Sequence, residues 1–215
     1  MLYELRTYEA GVGNIAVLRG RLQRAAALFK EHGLTAHGFW TEVIGTSNRI
    51  TYMWEYEDLN ERNQKRAALR ADATWNRTNS EETAKYGEVV TRIHNTIMEL
   101  TDYSPKPNFS VNKIHELRIY HAVPNKLPAL NQRFANHSDR LLRKHGMNIV
   151  GYWTDLVGTT NDLIWIVGYD SLAHREQCWA SFRTEPEWPV VRDESIKDGE
   201  IVARWENRIF KPLGF

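Results

Sequence analysis

The side chains best suited to move a proton in this sequence are His37 and His94. Each lies in a stretch with strand character, where an imidazole titrating near neutrality can act as general base or acid. The other reading of each is an exposed or hydrogen-bonded strand residue without chemistry. Two arginines stand two residues after a glutamate, as Glu4–Arg6 and Glu116–Arg118. On a strand such residues share a face, roughly 6.5 Å apart. Each pair then makes either a salt-bridge ladder, Glu to an Arg of a neighbouring strand, or a polar floor for an anionic or carbonyl group, which a guanidinium holds in bidentate fashion. Trp40, Tyr52, Trp54, Tyr56, Trp153, Trp165 and Tyr169 cluster on the middle strands. Aromatics fill half-buried sheets, but aromatics with a few convergent polar groups also describe an apolar ligand pocket. The candidate site is therefore His37 and His94 as catalytic residues, with Arg6, Trp40, Tyr52, Trp54, Tyr56, Arg118, Trp153 and Trp165 as substrate contacts.

Other chemistries find no footing. His115 and His121 are six residues apart on one strand, roughly 20 Å, too far to share an ion. HxH, HExxH and CxxC spacings are missing, as are GxGxxG, Walker and GxSxG motifs, so the sequence calls for no metal and no cofactor. The single cysteine, Cys178, has no disulfide partner and sits beside Trp179 as a small apolar residue. Net charge is +1 with acids and bases interspersed, and without a basic stripe nucleic acid is not expected as a partner. No apolar stretch approaches the roughly 20 residues of a membrane span. With no leader-like start, the chain reads as a cytoplasmic protein whose partner is a small-molecule ligand.

The segments that must position these residues occur twice. GFWTEVIGTSN, Gly38 to Asn48, returns as GYWTDLVGTTN, Gly151 to Asn161, with six of eleven positions identical. LYELRTY returns as IHELRIY, EHG as KHG, YEDLNER as YDSLAHR, and GEVVTRIHN as GEIVARWEN. The offset is 112 at the start, 113 in the middle and 112 near the end, which places a one-residue gain in a loop of one half. The halves are 1–100 and 113–215. The join, 101–112 (TDYSPKPNFSVN), has the proline and polar content of a linker.

Within a half, Leu2 to Tyr8 alternates as a strand. Val12 to His32 carries apolar residues at helical spacing and ends at a Gly33 cap, with His32, like His145, placed to cap the helix end. Thr35 to Ile44 and Arg49 to Tyr56 flank a GTSN turn as a hairpin. Asp58 and Glu61 have capping-box spacing for a second helix. A short helical piece is expected around Glu81 to Lys85, and a last strand over Gly87 to Met98. The order β-α-β-β-α-β is the ferredoxin-like unit, an α+β fold with one sheet face left bare. Two such tandem units are expected to cover each other, packed sheet to sheet as an intramolecular α+β barrel.

The strand ELRxY, the HGxxxxGFW and HGxxxxGYW stretches, and WEYEDLNER with VGYDSLAHR together resemble the NIPSNAP family. The resemblance covers both halves and implies a dimeric α+β barrel fold. Val167–Gly168 stands where the first half has Trp54–Glu55, so the halves are not equivalent. Relatives of that fold include cofactor-independent monooxygenases, isomerases and dehydratases. The resemblance therefore implies such an enzyme, acting on a small apolar or aromatic carbonyl compound. The alternative is a non-catalytic ligand-binding or protein-interaction module. An enclosed pocket above roughly 300 Å³ holding a titratable group would favour the enzyme. Further pairing of chains into a homodimer stays open.

Overall fold

The structure is a computed structural model and describes residues 1–215. The chain divides into two units, Met1–Met98 with Pro212–Phe215, and Glu99–Lys211. Each is an α+β unit of the βαββαβ kind.

In the first unit, β1 (Leu2–Ala10) leads into α1 (Ile15–Glu31), then β2 (Thr35–Ile44) and β3 (Arg49–Tyr56), then α2 (Leu59–Ala71) and α3 (Ala73–Tyr86), and finally β4 (Val90–Leu100). β1 pairs antiparallel with β3 and with β4, and β3 pairs with β2. The order β2-β3-β1-β4 follows from the two helical crossovers, α1 between β1 and β2 and α2 with α3 between β3 and β4. Asp58 caps α2 by accepting from the backbone N–H of Asn60 and Glu61. The Glu61 side chain reaches back to the N–H of Glu57 rather than that of Asp58, at 2.6 Å. The expected short helix around Glu81 is instead the full 14-residue α3. Asp72 starts it by accepting from the N–H of Trp75, a cap that outweighs the polar, weakly periodic sequence that follows.

The second unit repeats the plan. It runs β5 (Ile114–Ala122), α4 (Leu127–Arg133), a π-helical turn (Phe134–Ser138), α5 (Asp139–Lys144), β6 (Asn148–Val157), β7 (Asp162–Tyr169), α6 (Leu172–Arg183), α7 (Glu187–Ser195) and β8 (Val202–Pro212). β5 pairs antiparallel with β7 and β8, and β7 with β6. Here the expectation of a loop insertion is corrected. From Leu127 to Lys144 the helix is continuous and 18 residues long, against 17 in α1. The extra residue is absorbed as the π turn inside the helix, because a single insertion there widens one turn without breaking the flanking ladders.

The GFW and GYW motifs have a steric cause. A Cβ on Gly38 would stand 2.4 Å from the Trp40 ring, and one on Gly151 2.6 Å from the Trp153 ring. Each indole lies flat over the strand two residues before it, which only glycine permits. Both strands also carry a bulge just before that glycine, and in β2 the extra residue is His37.

Each unit has its own core. In the first, Phe29, Phe39, Tyr52 and Trp54 pack together, with Phe29 and Trp54 edge to face at 5.1 Å and Tyr52 and Trp54 at 5.4 Å. Leu213 closes this core, its N–H bonded to the Phe39 carbonyl at 2.9 Å. In the second, Phe134, Tyr152 and Trp165 form the centre. Positions matching Phe29 and Trp54 are Leu142 and Val167, so aromatic volume is missing. The 101–112 segment is not a free tether. Thr101 N–H bonds the Tyr152 carbonyl at 3.1 Å, and Tyr103 Oη donates to Asn131 at 2.9 Å.

Candidate functional site

The Glu–Arg pairs face the helices of their own units. Glu4, fully buried, accepts from Arg6 on its own strand at 3.2 Å, from Arg62 of α2 at 2.9 and 3.0 Å, and from Tyr56 Oη at 3.3 Å. Glu116 accepts from Arg118 at 2.8 Å, from Arg175 of α6 at 2.8 Å through both oxygens, and from Asn207 at 3.2 Å. The ladder to an Arg of a neighbouring strand is thus replaced by a strand-to-helix clamp. Burial pushes both carboxyls up, but the arginines outweigh it and hold them below the usual range.

Beyond that shared clamp the units diverge. Arg6 spends a further donor on Asn95 at 2.6 Å and lies over the Tyr8 ring. Arg118 borders a cavity of about 640 Å³ in the second unit. Its guanidinium carbon lies 4.5 Å from the Trp179 ring centre, 5.2 Å from Trp165 and 5.6 Å from Tyr120. One nitrogen donates to Tyr120 Oη at 3.2 Å, which leaves the tyrosine's own proton to donate elsewhere.

Opposite elements complete the wall. The π turn contributes Phe134 and Ser138, α4 contributes Arg133, α7 contributes Trp188 and Arg192, and β8 contributes Trp205. Five lining side chains keep a buried polar atom without a hydrogen-bond partner: Arg118 Nε, Arg133 Nε, Ser138 Oγ, Trp165 Nε1 and Trp179 Nε1. Orphaned donors are rare in cores. These atoms are shut off from the cavity space, and the first unit keeps similar ones on Arg6, Arg21 and Trp54, so they belong to the packed core rather than to a ligand.

The expected site residues are spread across both units. Arg118 and Trp165 line the large cavity. Trp153 is buried over Gly151. In the first unit Tyr52, Trp54 and Tyr56 belong to the packed core, Trp40 is buried over Gly38, and Arg6 is committed to Glu4 and Asn95. His37 is half-buried, ion-paired with Glu55, and borders a smaller pocket of about 360 Å³. His94 is exposed and bonds Glu9 at 2.9 Å; Glu9 also receives Arg49. His32 and His145 cap their helices as expected, and each also pairs with an acid, Asp72 at 3.1 Å and Glu185 at 2.7 Å. Arg133, Ser138, Trp179 and Trp188 complete the cavity and were not among the expected contacts. For Arg133 and Ser138 the signal in the sequence was the offset change, which falls between Arg21–Arg133 and His32–His145, inside the helix; Trp188 was visible only as the repeat of Trp75, and Trp179 had no signal.

The NIPSNAP family model matches residues 3–105 and 115–215. A NIPSNAP-like domain protein from Burkholderia xenovorans is 27% identical over 47% of this chain and 86% of its own, with a TM-score of 0.44. A proposed monooxygenase from Fusobacterium nucleatum is 11% identical over 99% of this chain and 92% of its own, with a TM-score of 0.64. One from Lactobacillus acidophilus is 9% identical over 98% and 93%, with a TM-score of 0.60. At such identities these two share the fold and nothing more is drawn from them. No curated protein matches the chain. No helix is long and apolar enough to cross a membrane.

Proposed function

The chain belongs to the NIPSNAP family, and within it we propose that the second unit binds a small aromatic or apolar carbonyl compound and acts on it without a cofactor. The observation that carries this reading is the aromatic cavity of about 640 Å³ bordered by Arg118 and Tyr120. That volume lies within the range of small-molecule sites. Trp165, Trp179 and Phe134 supply flat apolar surface for the ligand body. Arg118, fixed by Glu116, and the Tyr120 hydroxyl supply two donors for a carbonyl oxygen. Donors held in place where negative charge develops favour an enolate or phenolate over its neutral parent. Isomerisation, or capture of dioxygen by the resulting carbanion, are the reaction types this supports, with Glu200, the one carboxylate on the lining, to take the proton.

Arg118→Met tests the reading. Against a panel of aromatic ketones and phenols, followed by tryptophan fluorescence and dioxygen uptake, the variant is expected to lose turnover by about 100-fold or more. Wild-type protein that quenches with none of the panel would sink the proposal. One observation favours the second reading, a binding module without turnover. The titratable residues lining the cavity are Arg118, Arg133, Arg192, Tyr120 and the exposed Glu200, with no histidine to accept a proton. Saturable binding without product, unchanged in His37→Ala and His94→Ala, would select it.

A further inference from the structure

Arg133 is the seventh residue of its helix, as Arg21 is of α1, and both are buried. Arg21 is neutralised: its Nε donates to Glu82 of α3 at 2.5 Å, and the same carboxylate also receives Arg24. Glu82 stands seven residues after Trp75. Seven residues after the matching Trp188 stands Ser195. Arg133 accordingly donates to Ser195 Oγ at 3.2 Å, and that hydroxyl passes its own proton to the Arg192 carbonyl at 2.7 Å. A neutral acceptor replaces a carboxylate.

The other charged groups around Arg133 do not repair this. Arg192 is a like charge. Arg118 is already matched by Glu116. Glu200 lines the same cavity but is exposed and makes no ion pair with Arg133. An arginine with 8% exposure and no carboxylate within ion-pair distance keeps much of its desolvation cost. Burial lowers its pKa, Arg192 reinforces the effect, and Tyr120 and the exposed Glu200 oppose it without cancelling it. Trp188 lies flat beneath it, 5.5 Å from ring centre to guanidinium carbon.

We infer that the ligand of this cavity is a carboxylate anion on an aromatic or apolar body, seated on Arg133 where the first unit seats Glu82. The first unit carries its anion within the chain; the second takes it from solution. This rests on the cavity being the ligand site, and the experiment separates the two. The full chain is titrated with 2-naphthoate and 4-biphenylcarboxylate, each beside its neutral amide, and with 2-naphthyl phosphate. The acids are expected to bind at least about 10-fold tighter than the amides, the value of a charge-assisted bond. Ser195→Glu rebuilds the first unit's pair and is expected to weaken the acids about 10-fold or more while leaving the amides within about threefold. Arg133→Met should do the same, and Ser195→Glu carries the test if that variant does not fold. Equal affinity for acid and amide, unmoved by Ser195→Glu, overturns the carboxylate and leaves the cavity reading standing. Tighter binding of the phosphate, equally sensitive to Ser195→Glu, overturns it in favour of phosphate esters. Absence of all binding defeats the cavity reading and this inference together.

Discussion

Glu9 accepts from both Arg49 and His94 in the first unit; at the same three positions in the second, His121 is held between Asp162 at 2.7 Å and Glu206 at 3.3 Å. The contact survives with acid and base exchanged at every position. The Glu4 and Glu116 clamps keep both arginines, the strand one and the helix one, while Tyr56 completes the first and Asn207 the second. The Arg21–Glu82 pair does not survive, since Arg133 keeps the arginine and loses the acid. An interaction that holds the fold is kept or compensated in both copies. One left open in a single copy, on a cavity wall, is free to serve a ligand. By that criterion His94 is part of a structural trio and Arg133 is part of a site.

The comparison breaks most visibly at the clamps. Glu4→Ala and Glu116→Ala each strand buried arginines, and each is expected to cost about 3–5 kcal/mol in urea unfolding, with similar losses in both. A large loss in one and a small loss in the other would mean that the halves do not share a common frame. Next in size is Glu82→Ala, expected to cost about 3 kcal/mol because Arg21 is left buried and unpaired. Ser195→Ala, its counterpart, removes a neutral acceptor and should cost about 1 kcal/mol. Equal effects there would show that Arg133 does not lack a counter-charge.

A third contrast is Tyr3 against His115. His115 is fully buried, and burial lowers its pKa to about 4 from 6.5. The unfolded chain then binds more protons than the folded one between those values, so stability falls as pH drops from about 6.5 to about 4 and is level above. The loss reaches about 3 kcal/mol at the acid end. His115→Tyr, which installs the first unit's residue, should flatten that slope whatever it does to stability at pH 7. A slope unchanged by the substitution would assign the acid sensitivity to other groups.

How much of this could be read from residues alone depends on what is periodic. The βαββαβ order was legible because alternation in Leu2–Tyr8 and three-to-four spacing from Ile15 to Phe29 are dictated by which face is buried. Arg118 and Trp165, which border the cavity, were legible as candidates because Arg118 repeats Arg6 and Trp165 stands at the aromatic strand position of Tyr52. The second-unit cavity was not, because part of its wall is made by what is smaller, Leu142 standing where the first unit has Phe29. Absent volume has no motif. α3 was foreshortened to its last turn because its start rests on one Asp72 cap rather than on an apolar stripe. The π turn was taken for a loop insertion because an offset change gives the presence of an extra residue but not the backbone that absorbs it.

That turn gives the smallest effect on stability and the sharpest test of how the halves parted. Ala135 is exposed, so removing it deletes no core contact. Its loss would restore 17 helical residues and a regular ladder of i to i+4 bonds. Stability should therefore change by less than about 1 kcal/mol. Arg133 and Phe134 lie on one side of the deletion and Ser138 on the other, and the deletion leaves them at i, i+4 and i, i+3 spacing, the one-face arrangement of Arg21, Leu22 and Ala25 in α1. What the cavity loses is the widened turn itself, so its wall is expected to take the first unit's shape. Affinity for 2-naphthoate is expected to fall about 10-fold, as when a charged contact is lost, while circular dichroism stays unchanged. Unaltered affinity would mean that the smaller side chains alone open the second unit, and that the extra residue is a passive trace of duplication.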